Sequence, residues 1–444
     1  MDSSRRKFIK SSTVGAGAFV IAPHLWGSTR RFAASDTIHV GVIGVNSRGK
    51  YLADTFAKLN GFQVNYICDV DSRAIEKCTE SVLKNQAHRP IPIEDFRELL
   101  EKEDIDAVVI ATPDHLHAPI GIMACAAGKH VYVEKPASHT PWEGEQFVKA
   151  AEKYDRVVQM GNQQRSSVKN IEGIQMIRDG RIGDVYHADT WYANNRKSIG
   201  NGKRTAVPTW LNWELWQGSA VREPYFDNYV HYNWHWFWKY GTGETGNNAT
   251  HEIDVARWAL GLEHPEEVIS TGMKGRYKDS DWEMYDTIHV TWKYPDGKTI
   301  VWDGNSRSGI NKMGSGRGTI VYGEKGSMML TRAGYVLYDQ DGKEVEVGRE
   351  EEVQASTQTQ NLVGGGSLTE KHIMNFGEAI RDRSVQLHSP IPEGSISTNM
   401  THYANMAYRE GKPLKINPRN GKLASKVGKK FWKGEYEKGW EPKV

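Results

Sequence analysis

At 444 residues the chain exceeds what one hydrophobic core usually supports, so two domains with appendages are expected. Apolar residues make up 38% and charged residues 25%, with 44 Gly and 15 Trp, which excludes a disordered chain and a membrane bundle. The formal charge of +2 becomes −3 once the six basic residues and Asp2 of the first 34 positions are set aside, which excludes a general attraction for nucleic acid or anionic lipid.

The amino terminus opens with "SRRKFIK" (residues 4–10) ahead of a weakly apolar stretch, residues 11–23. That stretch is too short to span a bilayer but suits the centre of a signal peptide. Paired Arg5 and Arg6 followed by Phe8, Ile9 and Lys10 resemble a twin-arginine export signal. Residues 1–34 are therefore expected to be a leader read by the twin-arginine machinery, with small residues at 33–35 for cleavage. A periplasmic destination is expected, without a stable membrane span. Cys68, Cys78 and Cys125 are too few, and odd in number, for a disulfide framework and read as small core residues.

Residues 36–160 read as a dinucleotide-binding domain. "IHVGVIGVNSRGKYLADTFAKL" holds a buried strand, a glycine turn, and apolar Leu52, Phe56 and Leu59 at helical spacing. Such a turn aims unpaired backbone N–H groups at a pyrophosphate, so Gly44, Asn46, Ser47, Arg48 and Gly49 are candidate cofactor contacts. Asn46 stands where a second Gly is usual and is expected to keep the turn through its tolerance of positive φ. A second strand ends in Asp69, whose carboxylate can accept both ribose hydroxyls of NAD and repel the extra phosphate of NADP. NAD is expected rather than NADP. Asp71 better suits a helix cap. Runs at 106–112 and 130–136 continue the alternation of strand and helix, as a doubly wound parallel sheet requires, with function at the carboxyl ends of the strands. Thr112, Pro113, His115, His117, Glu134 and Lys135 fall there and are assigned to the cofactor. No Cys or acidic partner lies at metal spacing from the two histidines, so no metal is expected.

Residues 161–370 read as a second domain. Eight of the 15 Trp lie between 191 and 258. Aromatic faces suit the C–H faces of sugar rings, although Trp also fills cores. "GNNATHEID" (246–254) places Asn247 and His251 four residues apart at the start of a helical run, on one face. A histidine capped at a domain junction is the structural alternative. Residues 286–304 alternate around Pro-Asp-Gly as an antiparallel hairpin, and 318–330 and 334–348 continue the meander. "VGGGSLTE" (363–370) is a linker or loop. Residues 371–444 read as carboxy-terminal helices and a basic tail, whose last 34 positions carry ten Lys or Arg against three Glu and are expected to lie solvated over the body.

"VGVIGVNSRG", "ATPDHLHAPI" and "VEKPASHT", followed by "VQMGNQQRS", "GTGETGNNATHEIDVARWALG" and "HIMNFGEAIRD", resemble the Gfo/Idh/MocA oxidoreductases, relatives of glucose-fructose oxidoreductase and inositol dehydrogenase. The resemblance implies an α/β protein: an amino-terminal Rossmann domain and a carboxy-terminal α/β domain with a large, mainly antiparallel open sheet. That sheet would carry a sugar or polyol site and an interface for a homodimer or homotetramer. It also implies that Lys135 lies near the nicotinamide and that a helix presents D-x-x-x-H, matched by His251 but with Asn247 in place of Asp. Lys135, His251 and Asn247 are therefore the candidate catalytic set. A near-neutral His can take the hydroxyl proton as hydride leaves, and a cationic Lys steadies the alkoxide. Asn247 can orient but cannot accept a proton. Lys135, Arg165, Trp191, Tyr192, Trp236, Asn247 and His251 are the candidate substrate contacts. The expected activity is NAD-dependent oxidation or reduction of a secondary hydroxyl on a sugar, glycoside or cyclic polyol, with a tightly held, recycled cofactor. The alternatives are an NAD-dependent glycosidase or lyase, for which a "YPTHG"-like stretch is missing, and a non-catalytic sensor.

Overall fold

Two kinds of strand build two different sheets in the computed structural model, which describes residues 36–350 and 367–444. The leader expected at 1–34 and the glycines at 364–366 lie outside the described residues. The first sheet uses strands that are apolar on both sides: β1 (Ile38–Ile43), β2 (Phe62–Cys68), β3 (Ile91–Ile93), β4 (Ala107–Ile110), β5 (His130–Val133) and β6 (Val158–Met160). All pair in parallel in the order β3-β2-β1-β4-β5-β6. Parallel strands must be covered on both faces, which is why they read as continuous apolar runs. Helices α1 (Arg48–Lys58), α2 (Ser72–Val82), α3 (Phe96–Leu100), α4 (Asp114–Ala126) and α5 (Pro141–Lys153) provide the cover. One face packs Val40, Val42, Leu52 and Phe56, the other Val108, Leu116 and Phe147. Asp71 caps α2 by accepting from the Arg73 backbone N–H, the role its position suggested. Strand order reverses between β1 and β4, opening a crevice at their carboxyl ends.

The second sheet alternates instead. After α6 (Val168–Arg178) come β7 (Val185–Asn195), α7 (Trp213–Gln217), α8 (Thr250–Leu260), β8 (Glu267–Met273), β9 (Thr287–Lys293), β10 (Thr299–Asn305) and β11 (Arg307–Ser308). The meander β12 (Arg317–Gly323), β13 (Gly326–Thr331), β14 (Gly334–Tyr338) and β15 (Glu344–Arg349) follows. With β16 (Leu414–Lys415) they order as β15-β14-β13-β12-β7-β10-β9-β8-β16, antiparallel except for the β10–β7 pair. One face sends Ile288, Val290, Trp292, Ile300 and Trp302 under the helices. The other carries a small patch of Trp191, Ile320 and Met329 with half-buried Tyr322, Val336 and Tyr338.

The last 74 positions (371–444) close both halves. Helix α9 (Ser367–Arg381) adds Ile373, Phe376 and Ala379 to the Rossmann core, whereas α10 (Ile391–Glu410) packs on α5, α8 and β8. The basic tail is held to the body by aromatic anchors: Trp440 lies 5.9 Å from Phe96 and Trp432 6.4 Å from Tyr403, ring to ring. All three cysteines are buried and free, and burial pushes Cys78 and Cys125 up to about 12. No described helix is long and apolar enough to cross a membrane.

Candidate active site

A cavity of about 620 Å³ occupies the crevice at the carboxyl ends of β1 and β4, between the two domains. Its cofactor-facing wall begins at the turn between β1 and α1. Gly44 has φ +82°, and a Cβ there would lie 2.8 Å from the Ala111 carbonyl oxygen and the Thr112 nitrogen. A Cβ on Gly49 would collide with the Gly44 carbonyl oxygen. These two glycines let α1 start against the turn and point its free N–H groups into the cavity. Asn46 also lines the cavity, but the expectation that it takes a positive φ is corrected. Among described non-glycine residues only Asp155, Tyr277 and Met313 do, and Gly44 alone supplies the left-handed step. Ser47 lies exposed on the same wall.

Asp69 ends β2 in the cavity wall. Its Oδ2 accepts from the Val45 N–H at 2.6 Å and its Oδ1 from the Asp71 N–H at 2.9 Å, leaving a second lone pair on each oxygen for hydroxyls. Burial pushes its carboxyl up, and the two backbone donors pull it back. His231 of the second domain reaches the same end, with Nε2 2.7 Å from Asp71 Oδ2.

At the other end stand Thr112, Pro113, Glu134 and Lys135. Arg48 Nε donates to Glu134 Oε1 at 2.8 Å, while Arg48 Nη1 and Nη2, Thr112 Oγ1 and Asn247 Nδ2 are buried without partners. All three of these residues line the cavity. Buried polar groups are nearly always paired, so four open ones in residues lining one cavity, beside a cradle that a Cβ would fill, fit a dinucleotide with its nicotinamide end near Lys135.

The two histidines of "DHLH" part company. His117 lines the cavity and braces two loops, Nδ1 lying 2.7 Å from the Pro136 carbonyl oxygen and Nε2 2.8 Å from that of Thr112. His115 does not line it, which corrects its assignment to the cofactor. Two residues along α4 turn it the other way, against Trp216 and Tyr240, with Nε2 3.1 Å from the Gln217 carbonyl oxygen. Burial pushes it down to about 3.

From the second domain, Asn247 enters on a π-helical turn (Thr245–Ala249) ahead of α8. Lys135 Nζ donates to the Asn247 carbonyl oxygen at 2.8 Å and to its Oδ1 at 3.3 Å. Burial pushes the Lys135 ammonium below the ordinary lysine range, with Arg317 and Arg48 adding to it and Glu134 and Asp114 opposing. His251 is buried one turn further along and does not line the cavity; its ring makes no hydrogen bond among the described residues. Burial, then Arg332, Lys135, Arg317 and Arg48, push it well below the ordinary histidine range. His251 thus departs from the expected near-neutral base at the substrate: it is set back from the cavity wall, and burial lowers its basicity. His235, which the sequence reading missed, does line the cavity, stacked on Trp234 with ring centroids 3.6 Å apart. It sits on a short 3-10 turn, where no periodic spacing marks it.

Four further substrate candidates lie outside the cavity. Arg165 forms a buried fork with Asp254 at 2.7 and 2.9 Å. Trp191 points to the open sheet face, donating to the Ser315 carbonyl oxygen at 3.0 Å, and its neighbour Tyr192 alternates into the core. Trp236 stacks on Trp282, 3.8 Å apart. Breaking the fork leaves a buried charge, so Asp254→Asn is expected to lower stability by about 3–5 kcal/mol in urea titration. A substrate contact at Arg165 would instead raise KM and leave the urea midpoint in place. Among the described residues no group of three or more His, Cys, Asp or Glu is placed to hold a metal ion.

Residues 38–162 match the model of the oxidoreductase family with an NAD-binding Rossmann fold, and residues 174–329 match the GFO/IDH/MocA C-terminal domain; together they cover more than half of the chain. The chain belongs to the Gfo/Idh/MocA oxidoreductase family. Among curated proteins, α-N-acetylgalactosaminidase of Shewanella oneidensis is 30% identical over 161 residues, and a glycosyl hydrolase family 109 protein of another Shewanella is 32% identical over 161. In both cases the match spans 35% of this chain and 35% of the relative's own length. Among solved structures, the WlbA dehydrogenase from Bordetella pertussis in complex with NADH and UDP-GlcNAcA aligns with TM-score 0.64 at 18% identity, over 86% of this chain and 99% of that one. Aldose-aldose oxidoreductase from Caulobacter crescentus aligns with TM-score 0.63 at 19% identity, over 86% and 100%. At these identities the solved structures share the fold of this Gfo/Idh/MocA chain.

Proposed function

We propose that the protein transfers hydride between NAD and a secondary hydroxyl of a sugar, glycoside or cyclic polyol. The observation that carries this is Lys135: an ammonium destabilised by burial, held by the neutral acceptors of Asn247, at the end of a cavity whose other end holds Asp69. A nicotinamide, when bound, supplies the hydride acceptor. Asp69 would hold its ribose, and Arg48, Thr112 and the glycine turn its pyrophosphate and nicotinamide end. Lys135 in its amine form takes the hydroxyl proton at Nζ, and Asn247 fixes that nitrogen in place. Tyr232, Trp234, His235 and Trp216 give the remaining wall the aromatic character that suits a sugar ring.

A second reading, transient oxidation followed by elimination of a glycoside, is supported by the similarity to the α-N-acetylgalactosaminidase and the glycosyl hydrolase family 109 protein of Shewanella. Purified protein titrated with sugars, glycosides and inositols separates the two. A ketone formed with matching NADH supports the dehydrogenase, and a released aglycone without net NADH supports the glycosidase. No nicotinamide response, even with NAD⁺ supplied, leaves a sensor. We further propose twin-arginine export to the periplasm with the cofactor carried bound, and pairing of chains into a dimer or tetramer through the open sheet face around Trp191. Sedimentation velocity of Met329→Lys tests the latter: the variant is expected to run as a monomer.

A further inference from the structure

Tyr232 and His235 stand side by side in the cavity wall, ring centroids 4.6 Å apart, and each has its hydrogen-bonding sense fixed from behind. Arg196 Nη1 donates to Tyr232 Oη at 2.9 Å. A buried fork on Glu244, with Nε at 2.7 Å and Nη2 at 3.2 Å from the carboxylate oxygens, holds Arg196 in place. A guanidinium only donates, so the phenol oxygen accepts there and its own hydrogen is left to point elsewhere. His235 Nδ1 lies 2.7 Å from the Tyr232 carbonyl oxygen. A carbonyl only accepts, so Nδ1 carries the proton and Nε2 of the neutral ring is a bare acceptor. Burial pushes this imidazole well below the ordinary histidine range, opposed by the Tyr232 carbonyl and helped by Lys135, Arg196 and His117, which favours the neutral ring. Trp234, stacked at 3.6 Å, fixes its plane. Among the described residues neither the Tyr232 O–H nor His235 Nε2 has a partner of its own.

The segment that carries them crosses the cavity. At one end His231 reaches Asp71, beside the ribose carboxylate. At the other the His235 backbone lies against Gly241, where a Cβ would be 2.6 Å from the His235 Cα and carbonyl oxygen. The next residue, Thr242, donates to Asp114 Oδ2 from its N–H at 3.1 Å and its hydroxyl at 2.6 Å, and Asp114 follows Pro113 in the cavity wall. Glu244, under Arg196, stands three residues before Asn247, which accepts from Lys135. These contacts place the pair at the Lys135 end of the cavity. An oxygen set between a fixed donor and a fixed acceptor must itself accept and donate, which a hydroxyl does and an ether oxygen, a fluorine or a CH₂ does not. We infer that Tyr232 and His235 together recognise a second free hydroxyl of the substrate, besides the one on the carbon that exchanges hydride, so that the substrate is a sugar, glycoside or cyclic polyol with that hydroxyl unsubstituted. This rests on the proposed hydride transfer and narrows its substrate class.

The test assays the full chain, with NAD⁺ supplied, on methyl β-D-glucopyranoside, methyl β-D-galactopyranoside and myo-inositol, then on the monodeoxy and mono-O-methyl forms of the best of them, with binding of each read by tryptophan fluorescence. At one position other than the carbon oxidised, the deoxy and O-methyl forms are both expected to lose about 10²-fold in kcat/KM, because a site built around a hydroxyl leaves its own polar groups unpaired without it. Tyr232→Phe is expected to raise KM for the parent sugar and to cut the deoxy penalty about tenfold, with NAD⁺ affinity unchanged. A loosened fold would lower parent and deoxy sugar alike and leave their ratio in place. His235→Phe carries the same comparison if Tyr232→Phe does not fold. Equal rates for parent and every deoxy form, a penalty that survives both variants, variants that weaken NAD⁺ instead, or no sugar bound by protein that binds NAD⁺ would overturn the inference. A deoxy penalty in binding without ketone or NADH supports the pair and counts against hydride transfer alone.

Discussion

Replacing Lys135 by Ala is expected to lower kcat by about 10³-fold, within the range that one positioned proton-transfer group supplies, while NAD⁺ binding is retained. Among the described residues Nζ hydrogen-bonds only to Asn247, so its loss leaves the glycine turn and Asp69 untouched. The pH profile gives the mechanism its sign. Oxidation needs the amine form, which grows as pH rises through the Lys135 pKa, and burial has moved that pKa down from the ordinary lysine range. kcat/KM for the alcohol should therefore climb with pH and level off earlier than an exposed lysine would allow. Asn247→Asp places a carboxylate beside the ammonium, stabilises its charged form and should move the climb to higher pH. An unmoved profile in that variant would remove Lys135 as the titrating group, whatever happened to kcat.

Asp69→Ala is expected to weaken NAD⁺ by about 10²-fold or more, because two hydrogen bonds to a charged acceptor are lost at about 1.5–3 kcal/mol each. The same change should bring NADP⁺ relatively closer, since the repelling carboxylate is gone and Lys77 still lines the cavity. Asp69 also ties down the Val45 and Asp71 N–H groups, so some stability is lost as well. The ratio of the two cofactor affinities separates these effects. A looser fold lowers both, and only loss of discrimination at the ribose changes the ratio. Isothermal titration with each cofactor measures it.

Much of the cofactor half was legible because its chemistry is local. A strand, its turn and the following helix lie within about twenty residues, and Gly44 and Gly49 are demanded by backbone contacts made within that unit and with the next strand end. Asp69, Thr112 and Lys135 were readable for the same reason: each lies within two residues of the end of an apolar run, and the ends of parallel strands gather at one edge. His115 and His117 show the limit. Both follow the same strand, yet which one faces the crevice depends on where α4 docks.

The second half was legible in period but not in direction. Alternation marked its strands, and residue type suggested Arg165, Trp191, Tyr192 and Trp236 as substrate contacts. An arginine is equally suited to a buried fork and a tryptophan to a core stack, and those are the partners they found in Asp254 and Trp282. Conversely, His235 carries no local signal, because its place on the cavity wall is set by how the second domain meets the first.

The sequence by itself determined the elements, the parallel and antiparallel character of the two sheets, the glycine cradle and the carboxylate and lysine that flank it. These follow from side-chain period and from backbone sterics, which act over a few residues. Only the tertiary structure decided that Asn247 accepts from Lys135 and that burial, ahead of the surrounding cations, pushes His251 below the ordinary histidine range. Charge interactions and burial depend on distance through space, and in this chain those distances are set by how the second sheet and α8 close over the first domain's strand ends.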